Sequence, residues 1–328
     1  MGRRSHGDGR CAVTERPRVS VIMPFLASAA FIRESIESVR GQSYPGWELL
    51  LCDDGSTDGS TTIAREYAAA DPRRIRWLEH DGHETRGASA ARNLGLRHAR
   101  GELIAFLDAD DLWLPHKLED QLAILDVRPD ADALCGSTMF WYGWTGRPED
   151  ERRDHVLPLG PPHGSLCPAP SFLVRRLRGR AANPGTCSLI VRHGAVQRAG
   201  GFEESFRSSY TDQAFYAKLF LHASLLVVDT CWDRYRQHPE SACAAMERAG
   251  ARLTVERRYL LWLREYLDQH GSHDPALRSA LRWALFWNRN PRSYRMARRI
   301  RHLVRRMRAV SHALLSRGFP RGAWPRRT

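Results

Sequence analysis

The feature that most constrains this chain is a regular alternation of strand and helix signals over its first 130 residues. VSVIM (19–23) is a short β-branched run, and FIRESIESVRGQ follows with Phe31, Ile32, Ile36 and Val39 at helical spacing. WELLLC (47–52) reads as a second buried strand. TTIAREYAAA (61–70) reads as a helix behind a Ser/Thr/Asp/Gly loop that supplies its N-cap. IRWLEH (75–80) is a third strand, ASAARNLGLRHA (88–99) a helix stopped at Gly101, and LIAFL (103–107) a fourth strand. Pro115 then opens a helix, at the position where proline is tolerated. Strands alternating with helices imply a parallel sheet with right-handed crossovers. Ligands in such sheets bind beyond the carboxyl ends of the strands. The polar clusters fall there: PFLAS after the first strand, DDGSTDGS after the second and DADD after the fourth.

The middle of the chain is less regular. ADALCGS (131–137), TCSLIV (186–191) and LLVVD (225–229) read as strands, and TDQAFYAKLFLHA (211–223) as an amphipathic helix. The stretch 143–165, rich in Pro, Gly and charge, reads as a long loop of the functional or mobile kind. From Ala244 the pattern is helical. In RRIRHLVRRMRAVSHALL one face carries Ile300, Leu303, Val304, Met307, Val310 and Leu314, and arginines fill the other. Such a helix suits an anionic membrane surface, and equally a packed helix with a solvated basic face. The divisions expected are a disordered lead-in over 1–17, a nucleotide-binding half over 18–130, an acceptor-binding and catalytic half over 131–243, and a basic helical region over 244–328.

No window approaches the roughly 18 consecutive apolar residues of a membrane-spanning helix. The seven cysteines form no CxxC pair and are odd in number, which argues against a disulfide framework or a zinc site and for a reducing cytoplasm. The basic N-terminus lacks the apolar core of a signal peptide. A net charge of +13 invites a polyanion, but it also reflects a general preference for Arg, since the only lysines are Lys117 and Lys218.

Two carboxylates spaced i, i+2 after a strand, as in Asp108-Ala109-Asp110, can reach one hard cation, Mg²⁺ or Mn²⁺, that also carries substrate phosphates. Taken alone they are as readily a capped turn, with Asp110 or Asp111 at the helix opening near Pro115. Asp53 and Asp54 end the second strand, where a base or ribose would lie; the alternative is an Asx-type turn, which accounts for Ser56 and Asp58 better than for a doubled Asp.

VSVIMPF, WELLLCDDGSTDGS and RGASAARNLGLRHARGELIAFLDADD together resemble the nucleotide-binding half of the family-2 glycosyltransferases, densely over 18–125 and more thinly to about 245. The resemblance implies the GT-A fold: α/β, a Rossmann-like three-layer α/β/α sandwich with a mostly parallel central sheet, here with a C-terminal helical extension. It implies inverting transfer from a nucleotide-diphosphate sugar, a UDP-sugar first, to a sugar, lipid-linked or small-molecule acceptor. By the same resemblance Pro24 and Phe25 would line the base pocket, and Asp53 and Asp54 would bind base and ribose. Arg92 and Asn93 would lie nearby, Asp108 would touch the ribose, Ala109 would lie between, and Asp110 would hold the metal. The family's usual Pro-x-Tyr-Asn is Pro24-Phe25-Leu26-Ala27 here.

The family's general base is an Asp opening a helix after a Gly-Gly-Phe segment. GGFEESF (200–206) is present, and Asp212 is the candidate, with Thr211 replacing the customary Glu. A first-turn Asp favoured by the helix dipole is the plain alternative. In DRYRQHPESAC, His238 is a candidate metal or diphosphate contact and Arg236 a candidate phosphate partner; a hydrogen-bonded loop histidine is the alternative. Trp141, Tyr142 and Trp144 are candidates for stacking on an acceptor, or for ordinary packing. The competing functions are a sugar-nucleotide nucleotidyltransferase, which PFLASAAF serves badly because it lacks a basic Gly-rich loop, and an inactive or basic polyanion-binding relative. No nucleic-acid partner is expected. The expected location is the cytoplasm, including the inner face of the plasma membrane.

Overall fold

A computed structural model describes residues 16–293. The expected lead-in up to residue 15 and the basic helix of 298–315 lie outside the described residues. Ten strands form one sheet. In chain order they are β1 (Val19–Phe25), β2 (Trp47–Asp53), β3 (Ile75–Glu79), β4 (Leu103–Phe106), β5 (Leu112–Trp113), β6 (Ala133–Trp141), β7 (His155–Leu157), β8 (Ser165–Cys167), β9 (Ile190–Arg192) and β10 (Leu225–Arg236). The helices are α1 (Ile32–Arg40), α2 (Ser60–Ala70), α3 (Ala88–His98), α4 (Lys117–Asp126), α5 (Pro148–Glu151), α6 (Ser171–Leu177), α7 (His193–Ala199), α8 (Thr211–Phe220), α9 (Ala242–Arg248), α10 (Arg252–Gln269) and α11 (Pro275–Arg289).

The strand order is β3-β2-β1-β4-β9-β6-β10-β5. The first four strands are parallel, as the alternating pattern demands. β9 then enters antiparallel between β4 and β6, so the second half is mixed. Residues alternate faces along the central strands. Val19, Val21, Met23 and Phe25 pack with Ile32, Ile36, Leu118 and Leu122 from α1 and α4. Ile22, Leu50, Cys52 and Phe106 pack on the other face with Ala91, Phe215 and the helices of the second half. These faces make the three layers. Helices α10 and α11 join the second core through Tyr259, Leu263, Leu277 and Leu281 rather than standing apart.

Three expectations need correction. Gly101 is not a left-handed helix cap; a Cβ there would lie 2.6 Å from the Ser20 nitrogen, so glycine is required by close approach to β1. Residues 143–165 are not a bare loop: they hold α5 and β7, lead into β8, and are tied back by Asp154 Oδ1, which accepts from the Tyr142 and Gly143 N–H groups at 2.6 and 2.9 Å. β10 does not end at Asp229. It continues through two register shifts to Arg236, which brings Arg236 and His238 back to the DADD turn. The polar TCWDRYR sequence disguises this, because Asp233 is fully buried in the strand.

Candidate functional site

The carboxyl ends of β1, β2 and β4 converge on one crevice. Gly95 lets α3 lie close on the sheet, since a Cβ there would sit 2.6 Å from Ile22 Cγ2 and 2.9 Å from Cys52 Sγ. That approach places the buried Arg92 under the strand ends. Its guanidinium donates to Asp108 Oδ1 at 2.5 Å and to Thr211 Oγ1 at 3.1 Å. One side chain thus spans the DADD turn and the start of α8, where Asp212 lies. Burial pushes the Asp212 carboxyl above its ordinary range, opposed mainly by the Arg92 charge. Tyr210, just before it, adopts a left-handed φ of 60°, a conformation that costs an aromatic residue energy and clusters at functional sites.

Asp110 is half-buried, and its Oδ2 lies 3.0 Å from His238 Nε2. The two residues assigned to the metal are therefore adjacent. Asp108, Asp111 and Cys187 also offer ligand atoms within 4.8 Å of one another. Within that group the Cys187 thiol donates to Asp111 Oδ2 at 2.8 Å, and burial raises both the thiol and the Asp111 carboxyl well above their usual ranges. A protonated thiol does not ligate, and Mg²⁺ and Mn²⁺ prefer oxygen. Asp111 and Cys187 therefore support the turn, while Asp108 and Asp110 are its more accessible carboxylates. Asp111 does not cap α4; its Oδ1 accepts from the Arg236 N–H at 2.9 Å.

Several other residues hold the chain itself. Phe25 is buried in the core, and the exposed residue at the mouth of β1 is Leu26; the alternation along β1 carried that signal. Pro24 is buried at the strand end beyond the last β4 partner, where no N–H is needed. Asp53 accepts from the Ser56 N–H at 2.8 Å and the Thr61 hydroxyl at 2.5 Å. Asp54 accepts from the Arg86 and Gly87 N–H groups at 2.8 and 2.9 Å. Both carboxylates are thus engaged in shaping the crevice loops. Asn93 braces the 200–204 turn through the Phe202 backbone, accepting at 2.8 Å and donating at 3.0 Å, and through Glu204. The Ala109 side chain is in the core, and its carbonyl accepts from Ser35 Oγ at 2.8 Å. Arg236, expected at phosphate, is 3% exposed and engaged internally. It donates to the Asp110 carbonyl at 2.8 Å and to Glu34 at 2.6 Å, among the rings of Phe31, Trp141 and Trp144. Glu34 and this aromatic cage were not legible in the sequence, because they assemble from α1, β6 and the turn after it.

The family described as Glycosyl transferase family 2 matches residues 20–204. Among curated proteins, the EpsE protein of Bacillus subtilis (strain 168), named as a glycosyltransferase, is 34% identical over 210 residues, covering 61% of this chain and 72% of that protein. The Escherichia coli protein WfgD, named UDP-Glc:alpha-D-GlcNAc-diphosphoundecaprenol beta-1,3-glucosyltransferase, is 42% identical over 125 residues, 38% of this chain and 44% of that one. Apart from EpsE, the chain spans less than two thirds of the length of the first curated relatives it matches, and about half of TuaG and WfgD. Among solved structures, the Pyrobaculum calidifontis mannosyltransferase PcManGT with GDP-Man and Mn²⁺ aligns with a TM-score of 0.56 at 21% identity, over 91% of this chain and 81% of that one. Staphylococcus aureus TarS with UDP-GlcNAc aligns at 0.56 and 22%, over 74% and 66%. At these identities the structural likeness establishes the GT-A fold alone.

Proposed function

The chain belongs to glycosyl transferase family 2, and from that premise we propose that it transfers a sugar, with inversion, from a nucleoside-diphosphate sugar to an acceptor hydroxyl. The observation that carries this reading is the Arg92 bridge, which sets the DADD carboxylates and the Asp212 helix around one crevice. Asp212 is the general base: it accepts the proton of the acceptor hydroxyl while the diphosphate leaves from the opposite side of the sugar. Its raised carboxyl suits the role, because a base closer to the working pH accepts a proton more readily. Asp53 and Asp54 set the shape of the nucleotide crevice, and Leu26 supplies apolar surface at its mouth.

The donor set fits a divalent cation. Asp110 offers a carboxylate oxygen, His238 an imidazole nitrogen beside it, and His238 Nδ1 is buried without a hydrogen-bond partner in the chain. Asp110 and His238 would hold Mn²⁺ or Mg²⁺, with Asp108 alongside, and the ion would neutralise the departing diphosphate. UDP-sugars are the first donor class to test, and GDP-sugars the second, after the ligands of TarS and PcManGT. The name of WfgD, and that of TuaG, which refers to teichuronic acid biosynthesis, support a saccharide acceptor in cell-surface polysaccharide synthesis. Among the described residues no helix is long and apolar enough to cross a membrane.

The test is a thermal-shift titration of UDP, GDP and their sugars with and without Mn²⁺. The parent chain should show a metal-dependent shift that Asp110→Ala removes. A nucleotide response of equal size without metal, or one unchanged in Asp110→Ala, refutes the metal assignment.

A further inference from the structure

A cleft of about 420 Å³ lies between the segment from Tyr142 to Arg153 and residues 237–247. We propose that this cleft is the acceptor subsite and takes an uncharged pyranose ring stacked against Trp144, an inference that rests on the glycosyltransferase reading above.

Three observations carry it. The first is rigidity. Trp144 donates through Nε1 to the Gln237 carbonyl at 2.9 Å, and its ring meets Phe31 edge-on at 5.7 Å and the Arg236 guanidinium at 5.3 Å. Tyr142 is held by Arg153, 4.0 Å from its ring centroid, and by the stacked His155. Aromatic faces fixed in advance bind the C–H face of a sugar at little cost in side-chain entropy.

The second is the polar lining. Asp150 accepts from Thr145 at 2.8 Å and from Arg153 at 2.9 Å, and Glu247 pairs with Arg252 at 2.9 Å. These groups keep spare acceptor and donor capacity in fixed orientations, which hydroxyls can use. Each of these carboxylates is paired with its own guanidinium, Arg153 or Arg252, so the lining carries no unpaired charge to draw a phosphorylated ligand and suits an uncharged one.

The third is location. His238, beside Asp110, forms part of the wall. The cleft thus adjoins the Asp110–His238 pair.

The test is saturation-transfer NMR on the full chain with diamagnetic Mg²⁺ and either UDP or GDP, whichever gives the larger thermal shift. The probes are methyl glucopyranoside, methyl galactopyranoside and methyl N-acetylglucosaminide, with glucose 1-phosphate as the charged counterpart. At least one methyl glycoside should receive saturation. The signal should fall about fivefold or more in Ala244→Trp, which fills the cleft from α9, and in Trp144→Ala. Ala244→Trp should leave the nucleotide–Mn²⁺ thermal shift unchanged. Undiminished saturation in Ala244→Trp overturns the proposal. So does saturation of glucose 1-phosphate alone, or of no probe while nucleotide and metal ion still bind. Failure of both nucleotides to bind is a separate result: it removes the glycosyltransferase reading and the inference with it.

Discussion

Arg236 is the position at which a change outside the proposed ligand set should most affect donor binding. Its Nε donates to the Asp110 carbonyl at 2.8 Å, so it fixes the peptide that carries the carboxylate proposed to hold the metal. Its terminal nitrogen reaches Glu34 at 2.6 Å, but the Glu34 side chain is 59% exposed, and solvent screens most of that attraction. The backbone N–H bond to Asp111 survives any side-chain change. Arg236→Ala therefore removes one charge-assisted hydrogen bond to a backbone oxygen, worth about 1.5–3 kcal/mol, together with the filling of the aromatic cage. At about 1.4 kcal/mol per tenfold, nucleotide–Mn²⁺ binding should weaken about 10- to 100-fold, the range seen when outer partners of metal ligands are changed. Arg236→Lys should behave nearly as badly, because an ammonium cannot reach two partners in one plane, whereas Glu34→Gln should change binding by less than about threefold. Calorimetric titration of the nucleotide with Mn²⁺ measures this, with circular dichroism confirming the fold. With donor and metal saturating, kcat should recover more than kcat/KM does. Binding by folded Arg236→Ala within about twofold of the parent would refute the reasoning.

Asp212→Asn should lower kcat about 10²- to 10⁴-fold with nucleotide affinity unchanged; because burial raises this carboxyl, activity should be lost on acidification at a higher pH than an ordinary carboxylate would give, and a pH–rate profile that is flat down to about pH 4 counts against it as the base. Behind the DADD turn, burial drives Asp233 up to about 7 and the fully buried Lys117 down to about 8. Asp233→Asn removes the charge that favours protonated Lys117 and should cost about 1–3 kcal/mol in urea unfolding, while Lys117→Met with Asp233→Leu should restore most of it. The stability held by Asp233 is present below the usual carboxylate pKa and lost as pH rises toward 7; that held by Lys117 is present at high pH and lost as pH falls through 8. The pair therefore contributes least between these values, and the double variant should flatten the stability profile there. Ala27 adopts a left-handed φ of 49°, where asparagine is tolerated better, so Ala27→Asn should stabilise the chain by about 0.5–1 kcal/mol, and a lower melting temperature would show that the strain is illusory.

What the sequence made legible follows from the range of the forces involved. The parallel half of the sheet was readable because each strand and helix declares itself through local periodicity, and a parallel sheet buried on both faces leaves little choice of arrangement. The full length of β10 is not legible because a charged strand is recognisable only once its surroundings are known: Asp233 is fully buried within range of the Lys117 charge, which is distant in sequence. The same limit separates the site residues. Asp110 and His238 meet at the DADD turn, and Arg92 ties Asp108 of that turn to the start of the helix that carries Asp212. The internal bonds of Asp53, Asp54 and Asn93 were not legible, because a carboxylate or amide at a strand end or helix start reads identically whether it faces solvent or a neighbouring N–H. Only the tertiary arrangement shows that each is occupied within the chain.

The lysine content gains a physical meaning from the same distinction. With the exposed cations all arginine, a compositional preference explains the surface but not why two lysines remain. Both are buried, Lys117 completely and Lys218 at 7% exposure, and burial lowers the pKa of each. Lys117 donates to Gln121 at 2.6 Å over the Trp113 ring, and Lys218 to the Gly200 carbonyl at 3.2 Å, in the turn that Asn93 braces from its other end. An ammonium fits these narrow sites and can give up its charge, whereas a guanidinium would have to be buried charged with five donors to satisfy. The two lysines thus mark sites under the DADD turn and behind the Gly200 turn where the general preference yields to the cost of burying charge.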